Sequence, residues 1–111
     1  MAGSTYNGWA NYETWLVNLW MDNDQGSQEF FRERATEIYG EVIPNPGFTR
    51  EVLAGLRFAD WLKNHHSENM PDMPGHGLYY DMLLLGFSEV NWVEIARQYI
   101  DTVKEATHAD G

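Results

Sequence analysis

The sequence predicts an all-α, mainly helical protein: a compact bundle of about five helices with a long loop near residues 65–77. Three observations carry this. Apolar residues recur at spacings of three and four through most of the chain, the period of a half-buried helix. Four of the periodic stretches follow a residue suited to capping a helix, namely Asn11, Ser27, Thr49 and Asn91. Gly and Pro cluster between the stretches, leaving only residues 41–43 as a short extended segment. A length of 111 residues fits a single domain, 1–111, and 43% hydrophobic with 14% aromatic content suffices for a core.

The first helix is expected over residues 12–22, capped by Asn11 with Glu13 in its first turn. Tyr12, Trp15, Leu16 and Leu19 make one apolar stripe, and Val17, Trp20 and Met21 make a second. Thr14, Asn18 and Asp22 keep a narrow polar line between them. A helix apolar nearly all round belongs at the centre of a domain or under a partner. The simpler expectation is the core, and the second stripe is where a partner would sit if the core cannot cover it.

The second helix is read as 28–39, capped by Ser27 and stopped by Gly40, with Phe30, Phe31, Arg34, Ala35 and Ile38 on its buried face. Pro44-Asn45-Pro46-Gly47 is a turn-rich link. Thr49 then caps a third helix over 50–64, with Val52, Leu53, Leu56, Ala59 and Leu62 at helical spacing. Gly55 inside it costs about 1 kcal/mol relative to Ala and marks a close helix contact. Residues 65–77 are read as loop, and 78–87 as a compact apolar helix. The last helix starts at Asn91, three residues before Glu94, a capping-box-like pair. Trp92, Ile95, Ala96, Tyr99, Ile100, Val103 and Ala106 follow in step, and the chain frays after Thr107.

The 17 acidic residues against 7 Lys and Arg give a net charge of -10. Such a field repels nucleic acid and anionic membrane, so neither is expected as a direct partner. It favours a protein with a basic surface, or serves solubility or salt adaptation. There is no cysteine, hence no disulfide or thiol chemistry. Residues 1–5 lack the features of a secretion signal and no stretch approaches the ~18 apolar residues that span a bilayer, so a cytoplasmic location is expected.

No catalytic constellation stands out, so the reading is a non-enzyme without cofactor or metal. Ser4, Ser27, Ser67 and Ser88 lack a nucleophile's setting. His65, His66 and His76, with Glu68 and Asp72, show none of the spacings that hold zinc, and His108 falls in the tail. Trp15, Trp61 and Trp92 belong to apolar stripes; Trp9 and Trp20 fit less well and are either core or exposed anchors. Glu29, Glu33 and Glu37 form the most regular acidic feature, one line along a helix with about 6 Å of axial rise per step. Arg32 and Arg34 offset part of it. With Asp22, Asp24 and Trp20, these three glutamates are the candidate partner-binding residues.

Two stretches carry a resemblance: Asn7-Gly8-Trp9-Ala10-Asn11-Tyr12-Glu13-Thr14-Trp15 running into Leu19-Trp20-Met21-Asp22-Asn23, and Leu83-Leu84 through Ser88-Glu89-Val90-Asn91-Trp92 to Ile95-Ala96. The pair resembles small uncharacterised proteins encoded by phages, prophages and plasmids. The resemblance transfers no functional residue. It implies a genomic setting in which small acidic proteins bind and inhibit host defence or nucleic-acid-handling proteins, as anti-CRISPR or anti-restriction factors, some by acidic mimicry of DNA. The alternative expectation is a self-associating structural or assembly protein, a homodimer in its simplest form.

Overall fold

The computed structural model describes residues 5–70 and 75–109, with side chains through Thr107. Five helices follow in order: α1 Tyr12–Asp22, α2 Gln25–Glu41, α3 Arg50–Glu68, α4 Leu78–Glu89 and α5 Trp92–Ala109. Among the described residues there is no strand; the only sheet-like pairs are the two bridges that close tight turns, Tyr6 with Trp9 and Asn45 with Phe48. Asn7 and Gly8 both take positive φ, 48° and 87°, the left-handed pair that a two-residue turn requires.

The core lies where α3 and α5 meet, and α2 completes it. On α5 the expected stripe is buried from Trp92 to Val103, whereas Ala106 lies in solvent. Its mate on α3 is Ala54, Gly55, Phe58, Ala59 and Leu62. The small residues Ala54, Gly55, Ala59 and Ala96 let the two backbones approach. A Cβ added at Gly55 would stand 3.4 Å from Arg97 Cγ, so the expected close contact at this glycine is present. From α2 come Phe31, Ala35, Ile38 and Tyr39.

Several boundaries differ from the sequence expectations, each for a local reason. Helix α2 begins three residues earlier than read, because Asp24, and not Ser27, caps it by accepting from the Ser27 backbone N–H at 3.0 Å. It also passes through Gly40 to Glu41. Phe30 is half in solvent, leaving Phe31 as the buried ring. On α3 Ala59 and Leu62 are buried and Leu53 packs against the core as expected, but Val52 and Leu56 are exposed while Ala54, Gly55 and Phe58 are inside. Alanine and glycine carry little weight in a hydrophobic pattern, yet they occupy the closest approach. The expected loop at 65–77 is shortened, since α3 runs on to Glu68. Residues 71–74, with Asp72 of the imagined metal set, lie outside the described residues, as do the side chain of His108 and residues 110–111.

The larger correction concerns α1, which is not the central helix. Only Thr14 and Met21 are fully buried on it. The helix lies across α2 and α5 and carries α4 on its other side. One residue of its polar line is buried, Thr14, which points to the start of α5, while the exposed Asp22 accepts the Tyr99 hydroxyl at 2.5 Å. Met21 and Val17 of the second apolar stripe join the core, while Trp20 projects outward. Helix α4 buries no residue fully. Its backbone approaches that of α1 alone, and Phe87 reaches back to stack on Trp92 with ring centroids 6.0 Å apart. This outer layer draws the radius of gyration to 15.4 Å, against roughly 13 Å for a close-packed chain of this length.

Candidate interaction surfaces

The two motif stretches at opposite ends of the sequence meet in one polar clasp. Asn11 Oδ1 accepts from the Thr14 N–H at 2.9 Å and from the Thr14 hydroxyl at 2.6 Å. That hydroxyl in turn accepts the Asn91 N–H at 2.9 Å. Asn11 Nδ2 donates to the Glu89 carbonyl at 2.7 Å. At the head of α5, Asn91 Oδ1 accepts the Glu94 N–H at 3.1 Å, as the capping pair predicts. The reciprocal half of the box is exchanged between segments. The Glu94 carboxylate accepts from the Ala10 N–H at 2.9 Å instead of reaching back to Asn91. The clasp satisfies end-of-helix donors of α1 and α5 together and fixes where α1 sits. Its groups are already bonded to one another, so it reads as architecture.

The histidines also have structural surroundings. His65 stacks on Trp61 at 4.8 Å between centroids, and His66 stacks on Phe31 at 5.7 Å. His66 Nδ1 lies 2.8 Å from the Leu62 carbonyl, and Trp92 closes over the ring at 5.2 Å. Burial pushes the His66 pKa below its usual 6.5, although the Leu62 carbonyl acts the other way. Among the described residues no group of three His, Asp or Glu side chains is placed to hold a metal.

Of the candidate partner-binding residues, Glu29, Glu33 and Glu37 are all exposed on α2 and form the expected ridge. Glu29 accepts from Gln25 Nε2 at 3.1 Å, and Glu37 pairs with Arg34 at 3.7 Å. The Arg34 guanidinium also lies over the Trp61 ring, 5.5 Å from its centroid, so it is held at the flank of the ridge. Asp22 and Asp24 sit near the N-terminal end of α2, but both have internal duties: one receives the Tyr99 hydroxyl and the other caps the helix. Burial, then the neighbouring Asp22, pushes the Tyr99 pKa well above its ordinary value. Between α1, α2 and α5 a polar recess of about 250 Å³ is lined by Trp9, Asn18, Gln28, Arg32 and Gln98 around this Asp22–Tyr99 bond.

A second surface joins Val17 and Trp20, from the α1 stripe expected to meet a partner if left uncovered, to helix α4, for which no such role was expected. Leu16 and Val17 of α1 and Met82, Leu83, Gly86 and Phe87 of α4 wall an apolar groove of about 210 Å³. Beside it Leu78, Met82 and Leu85, spaced by four and three, form an exposed apolar ridge. Trp20 and Tyr79 stand exposed on the same two helices. The sequence signal was present: residues 78–87 have apolar types on every side, and such a helix needs cover on every side.

The sequence profile of a family of unknown function, DUF7249, matches residues 2–97, and the chain belongs to that family. No curated protein and no solved structure matches it.

Proposed function

We propose that this DUF7249 member works by protein contact and not by catalysis, as an accessory protein that binds and inhibits a partner with a basic surface. The observation that carries this is the exposed ridge of Glu29, Glu33 and Glu37 on a chain of net charge -10. Carboxylates at about 6 Å intervals along a rigid helix suit a channel whose Lys and Arg otherwise hold phosphates. Association would be steered by the whole field and would weaken with salt. The resemblance to proteins of phages and plasmids supports placing the partner among host defence or nucleic-acid-handling proteins, in the host cytoplasm. Helix α2 supports the ridge well, since Phe31, Ala35 and Ile38 bury its opposite face.

The test is capture of host proteins on immobilised chain, with duplex DNA as competitor and a Glu29→Lys, Glu33→Lys, Glu37→Lys variant as control. A DNA-binding protein that is retained by the native chain, displaced by DNA and lost with the variant is the expected result. Retention indifferent to both DNA and the triple change would overturn the acidic-ridge reading.

A further inference from the structure

We infer that the α1–α4 face is the contact between two copies of this chain, which pair about a twofold axis through α4. Trp20, Leu78, Tyr79, Met82 and Leu85 remain 68%, 66%, 79%, 60% and 64% exposed. Together they leave on the order of 700 Å² in solvent, above the ~300–600 Å² of the largest apolar patch on a typical monomer. Stable interfaces bury about 1,200–2,000 Å² in total, and two such faces, covered completely, supply about 1,400 Å².

The face has the shape that self-pairing requires. A twofold contact sets one patch against itself, so the patch must contain both a projection and a recess. Here the Leu78–Met82–Leu85 ridge runs beside the groove walled by Leu16, Val17, Leu83 and Gly86. Gly86 contributes no side chain to that groove, and a Cβ there would meet nothing within 4 Å. The ridge of each copy fits the recess of the other. The contact also answers a local problem. A helix of 12 residues is marginal without tertiary packing, and among the described residues α4 is supported only by α1 and by the Phe87 contact with the core.

Salt dependence distinguishes this occupant from a basic partner. Neither α1 nor α4 contains Lys or Arg, and their acids, Glu13, Asp22, Asp81 and Glu89, are outnumbered by the apolar residues between them. Two copies of charge -10 repel at long range, so salt strengthens the pair, whereas it weakens binding of a basic protein to the acidic ridge. The inference is independent of that ridge: α2 is free in the pair.

The experiment is sedimentation equilibrium of the full chain up to about 200 µM, within the micromolar-to-picomolar range that such interfaces span, at low and high sodium chloride. The expected result is a monomer–dimer equilibrium that tightens several-fold as screening rises. Leu85→Lys, with an unchanged far-ultraviolet helix signal, should weaken it by at least about 100-fold, the effect of losing a central contact. Tyr79→Lys should act in the same direction, and the Glu29, Glu33, Glu37 triple variant should still pair. Hydrogen exchange supplies a readout without substitution: amides of 78–89 should slow as protein concentration rises. A monomer at the highest concentration in both salts overturns the inference. So does a dimer indifferent to both lysine substitutions with concentration-independent exchange in α4, or a monomer that instead floats with anionic lipid vesicles.

Discussion

Helices α4 and α5 follow one another in the chain, separated by Val90 and Asn91, and they use apolar residues in opposite ways. Helix α5 interleaves Arg97, Asp101, Lys104 and Glu105 with its apolar positions, and six of those positions are buried. Helix α4 is richer in Leu, Met, Tyr and Phe, yet buries none of them fully. Burial depends on a facing surface as well as on apolar content. Helix α5 meets α3 along Ala54, Gly55, Phe58, Ala59 and Leu62, while α4 rests on α1 at the edge of the molecule. The first arrangement makes a core and the second leaves an interface.

The largest expected difference between the two regions lies in truncation. Phe58→Ala or Ile95→Ala opens a cavity between α3 and α5, and each should cost about 3–5 kcal/mol or slightly less for the isoleucine. Leu85→Ala removes a side chain from solvent and should fall within about 0.5 kcal/mol of the native chain. Urea unfolding at low protein concentration, followed by tryptophan fluorescence, measures both. Equal losses at Ile95 and Leu85 would mean that α4 is already covered within the single chain, and the contrast would fail.

The clasp that joins the two regions comes next. Thr14→Val keeps the shape but leaves the Asn91 N–H without its acceptor, a cost of about 1–3 kcal/mol. Thr14→Ser restores the hydroxyl and should recover most of it. Denaturant midpoints of the two variants give the comparison, and a neutral valine would show that water replaces the threonine.

The sequence made the bundle and much of its punctuation legible. Asn11, Thr49 and Asn91 cap as read, and the α5 stripe is buried through Val103, because capping and 3.6-residue periodicity are local properties. What escaped is relational. Nothing in the spacing of Thr14, Asn18 and Asp22 shows that Thr14 is buried or that Asp22 meets Tyr99, since both follow from Asn91 and Tyr99 coming from the far end of the chain. Likewise, an apolar helix looks the same in sequence whether the bundle covers it or leaves it outside, so the α4 face could not be separated from core. The acidic ridge was legible because i, i+4 spacing on an exposed helix is again local.

A smaller effect belongs to the aromatic cluster at the end of α3. Burial holds the folded His66 pKa below the 6.5 of the unfolded chain, so the unfolded state takes up the proton more readily. The contribution is complete above pH 6.5 and is lost as the pH falls through the folded value. Thermal melts should therefore decline as the pH falls below 6.5 more steeply for the native chain than for His66→Gln, which can still donate to the Leu62 carbonyl. Parallel slopes would remove His66 from the account.

The smallest expected effect sits at the solvent edge of the α3–α5 contact, where Glu51 and Lys104 form a salt bridge. The hydrogen bond from Lys104, then Glu51's own backbone N–H and the Thr49 hydroxyl, bring the Glu51 pKa from 4.5 to about 2. A lowered carboxyl pKa stabilises the fold above the unfolded value of 4.5, and that gain disappears as the pH falls through about 2. Solvent reaches both side chains, at 37% for Lys104 and 29% for Glu51, so screening leaves only a modest part of the shift as stability. Glu51→Gln should lower the melting temperature slightly near neutral pH, with the gap to the native chain closing between pH 4.5 and about 2. Added salt should narrow the same gap at neutral pH, and a gap that ignores both acid and salt would trace the effect to the cap of α3 instead of to the bridge.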